Sequence, residues 1–107
     1  MGQKEQQDKK FWCNIFSTNY EIVVAACDED LLGKELKFEE IKVVISKKFY
    51  GGKLVDEEFV KRLLARSTIG NLFGKDVVEV AQQNGFITKE NIILIDGIPH
   101  AQYVKLQ

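Results

Sequence analysis

The sequence is poor in the residues that mark several large classes of protein. Its 107 residues include one proline, one histidine and two cysteines, and 15 Lys and Arg against 16 Asp and Glu leave a net charge of −1. That balance gives no overall attraction to nucleic acid, an anionic membrane or an acidic partner. No run approaches the roughly 18 consecutive apolar residues of a membrane-spanning helix, so we expect no membrane association.

Motifs of the common cofactor and metal sites are also missing. The chain contains no GxGxxG, GxxxxGK[ST], GxSxG or HExxH. One histidine and two cysteines do not suffice for a typical structural zinc site. We therefore expect neither a metal nor a cofactor.

The composition is that of a folded domain, with 45% hydrophobic and 29% charged residues. A chain of this length buries roughly two-thirds of its unfolded surface around one core. Residues 1–10 are polar and lack the hydrophobic centre of a secretory signal. We expect them to form a disordered polar tail before a single domain at 11–107, in a cytoplasmic protein.

The first half of the chain has the pattern of strands. A hairpin is predicted from 11–17 and 20–27, with Thr18-Asn19 as a two-residue turn. The run 22–26 is apolar on both faces, as in a central strand. Alternation over 41–46 predicts a third strand.

The predicted hairpin register concerns both cysteines. It places Cys13 opposite Val24 and Cys27 opposite Lys10, which is too far from Cys13 for a disulfide. With no CxxC motif and no secretory signal, we expect two reduced thiols.

Two helices are predicted in the second half. Asp56 is an N-cap for a helix to about Arg66, and a second helix runs from about Lys75 to Asn84, stopped by Gly85. The residues between them, 67–74, form either a short extra helical turn or a tight connector. They weakly resemble the glycine-bearing connector of a helix-hairpin-helix.

The chain ends in a hairpin, 92–95 and 98–104, around Asp96-Gly97. The element order predicts a small α+β domain. We expect a mostly antiparallel sheet of about five strands, with two or three helices packed on one face.

The most basic part of the chain is 34–53, with six Lys against three Glu, directly after an acidic 11–33. Within it, 47–53 combines three lysines, two aromatic residues and Gly51-Gly52. Lysines could bind phosphates, Tyr50 could stack on a base, and the glycines could admit a ligand close to the backbone. The alternative interpretation is an ordinary connection in which the glycines turn the chain.

His100 is the only side chain that titrates near neutrality without help. It is either a general base or phosphate ligand, or a hairpin histidine bonded to a neighbouring carbonyl or to solvent. A second group, Cys27-Asp28, could supply a nucleophile beside an acid, although a cysteine that ends an apolar strand is usually buried.

Four segments resemble one known family in their order and spacing. They are 27–34 (CDEDLLGK), 49–56 (FYGGKLVD), 71–74 (NLFG) and 97–102 (GIPHAQ). Together they are similar to the archaeal proteins catalogued as domain of unknown function 424, over about 20–104. The resemblance implies a small cytoplasmic archaeal protein grouped with translation or RNA-binding proteins, and it brings no enzymatic activity or cofactor.

The favoured hypothesis is a non-enzymatic module that binds RNA or ribosome-associated proteins, with a translation-related role. Its candidate nucleic-acid-binding residues are Lys34, Lys47, Lys48, Tyr50, Gly51, Gly52, Lys53, His100 and Gln102. One alternative is a small-molecule-binding or enzymatic domain that uses Cys27, Asp28 and His100. Another is a protein-interaction subunit that dimerises through an exposed sheet edge. The sequence leaves monomer and homodimer open.

Overall fold

A computed structural model describes residues 9–106, in which the chain forms eight strands and three helices. The elements are β1 (Lys10–Ser17), β2 (Ile22–Asp28), β3 (Glu35–Phe38), β4 (Ile41–Val44), α1 (Lys47–Tyr50), β5 (Lys53–Asp56), α2 (Glu57–Arg66), β6 (Ile69–Phe73), α3 (Lys75–Gln83), β7 (Ile92–Ile95) and β8 (Ile98–Val104). Short 3-10 turns lie at Glu29–Leu31 and Lys89–Asn91.

Six of the strands form one sheet in the order β5-β1-β2-β6-β8-β7. All neighbours are antiparallel except β2 and β6, which are parallel. Strands β3 and β4 form a separate hairpin. The predicted α+β class is confirmed. The main sheet has six strands because β5 and β6 join it, while the predicted strand at 41–46 lies in the separate hairpin. It is mixed because β6 is parallel to β2.

Helices α2 and α3 cover one face of the sheet. Asp56 begins α2, and its carboxylate accepts the N–H of Phe59 at 2.9 Å. Helix α3 ends at Gln83, and Gly85 then turns the chain with a φ of +79°, so that the N–H of Phe86 donates to the C=O of Ala81 at 2.9 Å. The core on this side is built from Phe11, Val24, Val60, Leu64, Leu72, Val77 and Ala101, all fully buried. Both predicted helices are confirmed.

The opposite face of the sheet is covered at one end only. The β3–β4 hairpin, α1 and the first 3-10 turn close over a second core of Ala25, Cys27, Leu31, Leu36, Ile45, Tyr50, Phe73 and Ile95. Helix α1 therefore lies across the sheet from α2 and α3, the two helices that share one face as predicted.

The first hairpin has a longer turn than predicted. Ser17 pairs with Ile22, so four residues form the loop instead of two. The hydroxyl of Thr18 accepts the N–H groups of Tyr20 and Glu21, at 3.2 and 3.0 Å, which stabilises the wider loop. The predicted register is thus wrong by two residues, a shift that preserves which face each side chain occupies.

The two cysteines lie on opposite faces of the sheet. Cys13 pairs with Ala26 and belongs to the helix-side core, while Cys27 pairs with Trp12 and belongs to the other core. Both are buried and free, as expected.

The predicted connector between the helices is in fact strand β6, which lies in the centre of the sheet. Gly70 is its second residue, and a Cβ there would overlap the ring of Tyr103 on β8. This glycine is needed for close packing, whereas the sequence pattern indicated a loop. A helix-hairpin-helix is excluded.

The folded part of the chain begins before residue 11, where the domain was predicted to start. Strand β1 begins at Lys10, within the predicted tail, and Lys9 forms an ion pair with Asp76 at 3.2 Å. The rest of that prediction lies on 1–8, outside the described residues. Over residues 9–106, no helix is long and apolar enough to cross a membrane.

Candidate nucleic-acid interface

Lys34 and Lys47 are brought together by the chain that enters α1. The N–H of Gly33 donates to the C=O of Ile45 at 2.7 Å, and the N–H of Ile45 donates to the C=O of Lys34 at 2.9 Å. A Cβ at residue 33 would lie 3.1 Å from Cε of Lys47, so the Lys47 side chain crosses this glycine. Both lysine side chains are exposed, and they lie on one surface.

Helix α1 carries Lys48 to the edge of the uncovered part of the sheet. Ser46 caps the helix by accepting the N–H of Phe49 at 3.1 Å. The side-chain amide of Asn14, on β1, donates to the C=O of Lys48 at 3.2 Å. Among residues 9–106, no carboxylate forms an ion pair with Lys47 or Lys48. Lys48 therefore brings an uncompensated positive charge to this edge, and Lys47 adds a second one on the same short helix.

A chain of aromatic contacts runs along this side of the sheet, from the uncovered part into the second core. Phe16 stacks on Phe49 with ring centroids 5.4 Å apart, and Phe49 meets Tyr50 edge-on at 5.0 Å. Tyr50 in turn contacts Phe73 at 6.1 Å, and Phe73 contacts His100 at 4.7 Å. The chain thus connects an exposed end, Phe16, to a half-buried end, His100.

Tyr50 does not provide the stacking surface that the sequence suggested. It is only 5% exposed, and burial raises the pKa of its hydroxyl. Phe16, at 39% exposed, is the most exposed of the rings in this chain of contacts. The sequence singled out the wrong aromatic residue because it does not show which ring closes the second core.

Gly51 and Gly52 allow close contacts within the protein itself. A Cβ at residue 52 would overlap the C=O of Cys13, and one at residue 51 would lie 2.7 Å from the C=O of Lys47. These glycines were expected to admit a ligand, but in the structure they allow close packing of the chain. Strand β5 can approach β1 because residue 52 has no side chain.

Lys53 is separated from the other candidate lysines by the sheet. It pairs with Cys13, whose side chain faces α2, and its ammonium lies 5.9 Å from the centre of the Phe59 ring. Because side chains alternate along a strand, Lys53 lies on the helix side. It is not part of the surface that carries Lys47 and Lys48.

The uncovered part of the sheet, here called the open face, consists of two rows across β1, β2, β6 and β8. Cross-strand pairing aligns an apolar row of Phe16, Val23, Ile69 and Val104. Beside it lies a row of Asn14, Ala25, Asn71 and Gln102, of which Ala25 is fully buried at the border of the second core. Val104 is 58% exposed and Phe16 is 39% exposed, so large apolar groups of this face contact solvent.

Gln102 lies on the open face, and His100 lies at its border. His100 pairs with Phe73 and Ile93, and its partial burial lowers the pKa of its imidazole. We therefore expect the ring to be neutral at pH 7, without a fixed charge to offer a phosphate. Gln102 pairs with Asn71, a residue that the sequence did not single out.

The alternative site of Cys27, Asp28 and His100 is not assembled. Cys27 is fully buried, and desolvation raises the pKa of its thiol to about 12, far from that of an activated nucleophile. The Asp28 carboxylate accepts the N–H groups of Asp76 and Val77 at 2.9 and 2.8 Å. Phe73 lies between Cys27 and His100 in the sheet.

Of the nine candidates, the structure groups Lys34 with Lys47, places Lys48 and Gln102 at or on the open face, and places His100 at its border. Tyr50, Gly51 and Gly52 have packing roles, and Lys53 faces α2. No cluster of three or more potential metal ligands occurs within residues 9–106.

A family model described as "Protein of unknown function (DUF424)" matches residues 16–106. The chain belongs to this DUF424 family. The description carries no activity, so membership alone assigns no chemistry to the open face.

A solved structure has the same fold. It is the crystal structure of an uncharacterized conserved protein from Methanopyrus kandleri, 28% identical, with a TM-score of 0.77 over 92% of this chain and 95% of that one. No curated protein matches the chain significantly. The fold of this chain is thus shared across most of both proteins.

Proposed function

We propose that this DUF424 protein is a non-enzymatic RNA-binding module whose ligand lies on the open face. The observation that carries the proposal is the stacked pair Phe16–Phe49 beside Lys47 and Lys48. An exposed ring that adjoins uncompensated cations suits a single strand, in which bases stack on aromatic groups and lysines contact phosphates.

The charge distribution supports a local site. The net charge is −1, which excludes a uniformly basic binder, but five of the six lysines within 34–53 have no ion-pair partner among residues 9–106. Three of those five, Lys34, Lys47 and Lys48, lie on the side of the sheet away from α2 and α3. We place the protein in the cytoplasm, bound to RNA or to ribosome-associated proteins.

The test is fluorescence anisotropy with a labelled ten-nucleotide single-stranded RNA at 50 and 200 mM salt. We expect binding that weakens steeply with salt, since each phosphate contact contributes about 0.7 to the logarithmic salt slope. Replacing both Lys47 and Lys48 with Gln should reduce that slope by about 1.4.

A matched control removes the same charge from the helix side. The double variant Lys53→Gln with Lys61→Gln should bind RNA like the unmodified protein, because both side chains lie away from the open face. Absence of binding at 50 mM salt, or equal losses in the two double variants, would contradict the proposal.

A second candidate function is a self-associating interaction subunit, supported by the edge strand β7. Its four residues are all aliphatic, and Ile93 and Leu94 are 49% and 61% exposed. The strand at the other edge of the sheet, β5, instead begins with Lys53 and finishes with Asp56, both charged. Sedimentation at high concentration should then show a dimer that Leu94→Lys abolishes. A monomer at every concentration would contradict this candidate.

A further inference from the structure

We propose that the side-chain amides of Asn71 and Gln102 read the edge of an RNA base placed on the open face. This inference rests on the proposed function and adds base selectivity to it. The lysines and Phe16 would hold any single strand, whereas these two amides would distinguish its bases.

The pairing of β6 and β8 places the two amides side by side. Asn71 and Gln102 are directly opposite in the register. Opposite residues of an antiparallel pair have Cβ atoms about 4.5–5.5 Å apart, so both amides can reach one base. On the other side of Asn71 in this row is Ala25, which is fully buried in the second core, so the part of the row that a ligand can reach beside Gln102 begins at Asn71.

Within residues 9–106, neither the Asn71 nor the Gln102 side chain forms a hydrogen bond. In the same part of the chain, no buried side-chain nitrogen or oxygen lacks a hydrogen-bond partner. The Asn71 amide must therefore reach solvent, and Gln102 is exposed. By contrast, the amide of Asn14 in the same row is used, since it bonds to Lys48 and to the N–H of Ile15.

The surroundings of these two amides suit the binding of a base. They lie beside the exposed apolar row and close to His100, so a base could stack on apolar groups while its edge meets a donor and an acceptor. A carboxamide offers one N–H donor beside one C=O acceptor. In a single strand, cytosine and uracil present a complementary donor and acceptor on the Watson–Crick edge alone, whereas adenine presents one pair there and a second at N6 and N7, which makes adenine the expected preferred base.

The test compares the affinities of A10, C10 and U10 RNA for the full chain and for Gln102→Met. Met keeps the length of the side chain and removes its hydrogen bonds. We expect the unmodified protein to bind A10 at least about fivefold more tightly than the weakest homopolymer. In Gln102→Met that ratio should approach one, with the salt slope unchanged.

Gln82→Met serves as the control, because Gln82 is exposed on α3, away from the open face. Asn71→Ser, with its shorter hydroxyl side chain, provides a second variant that should also lower the ratio. Equal affinities for the three RNAs, or a ratio that Gln102→Met leaves unchanged, would overturn the inference while the proposed function stands. No binding to any of the three would overturn both.

Discussion

The carboxylate of Asp28 occupies the space that a side chain at Gly74 would fill. Asp28 ends β2, Gly74 follows β6, and the two strands are parallel, so both residues emerge at the same edge of the sheet. There the carboxylate accepts two N–H groups of the first turn of α3, the role that an N-cap side chain usually has. Gly74 has a φ of +127°, which favours glycine independently of the contact.

This relationship predicts that α3 depends on both residues. Asp28→Ala should lower the free energy of unfolding by about 1–2 kcal/mol, the usual cost of a lost N-cap. Gly74→Ala should cost at least about 2 kcal/mol, because it combines backbone strain with overlap onto Asp28. Urea denaturation measures both, with the exposed Asp30→Ala as a control that should change little. Equal stabilities of Asp28→Ala and Asp30→Ala would contradict the capping role.

The close approach of Gly70 to Tyr103 gives a second prediction. Gly70→Ala should destabilise the domain by about 1–3 kcal/mol, since the new methyl group would overlap the tyrosine ring. Combining it with Tyr103→Leu should cost less than the sum of the two single changes, because the smaller side chain gives the methyl group room. Additive costs in a double-mutant cycle would show that the two residues are not in contact.

The titration of His100 predicts how stability depends on pH. Desolvation lowers its pKa in the folded protein below the ordinary value of 6.5, so the folded state binds a proton less readily than the unfolded chain. The resulting stability is present above pH 6.5 and is lost as the pH falls through the folded-state pKa. Between pH 7.5 and 5.5, the free energy of unfolding should therefore fall less in His100→Gln than in the unmodified protein, as urea denaturation at both pH values would measure. An NMR titration that placed the His100 pKa at or above 6.5 would contradict this account.

Both thiols should be inert in the folded protein. Desolvation raises the pKa of Cys13 and of Cys27 to about 12, so almost no thiolate exists at pH 8. An aromatic disulfide reagent should label neither cysteine until denaturant is added, and should then label both. Rapid labelling of the native protein would show that one thiol is accessible and would reopen a role for Cys27.

Elements with strong local signals could be predicted from the sequence. The N-cap at Asp56, the helix stop at Gly85 and the turn at Asp96-Gly97 each act through neighbouring residues, and all three occur in the structure. Strand β6 was missed because Gly70 and Gly74, which looked like turn residues, accommodate Tyr103 and Asp28 from distant parts of the chain.

The candidate site depended on the same long-range information. Lysines could be found by charge alone, but Lys53 is separated from Lys47 and Lys48 by the alternation of β5. Phe16 and Asn71 carried no local signal, since only the pairing of β1, β2, β6 and β8 places them on one face. Alternation in the short strand β3 could have been recognised from Leu36 and Phe38.

NMR chemical-shift mapping with a single-stranded RNA tests the central claim most directly. On titration of the isotopically labelled protein with A10 RNA, we expect the largest changes at Phe16, Lys48, Asn71 and Gln102. Signals of Lys53 and Phe59, on the other side of the sheet, should stay in place. Changes centred on Lys53 and Phe59, or no changes at low salt, would contradict RNA binding at the open face.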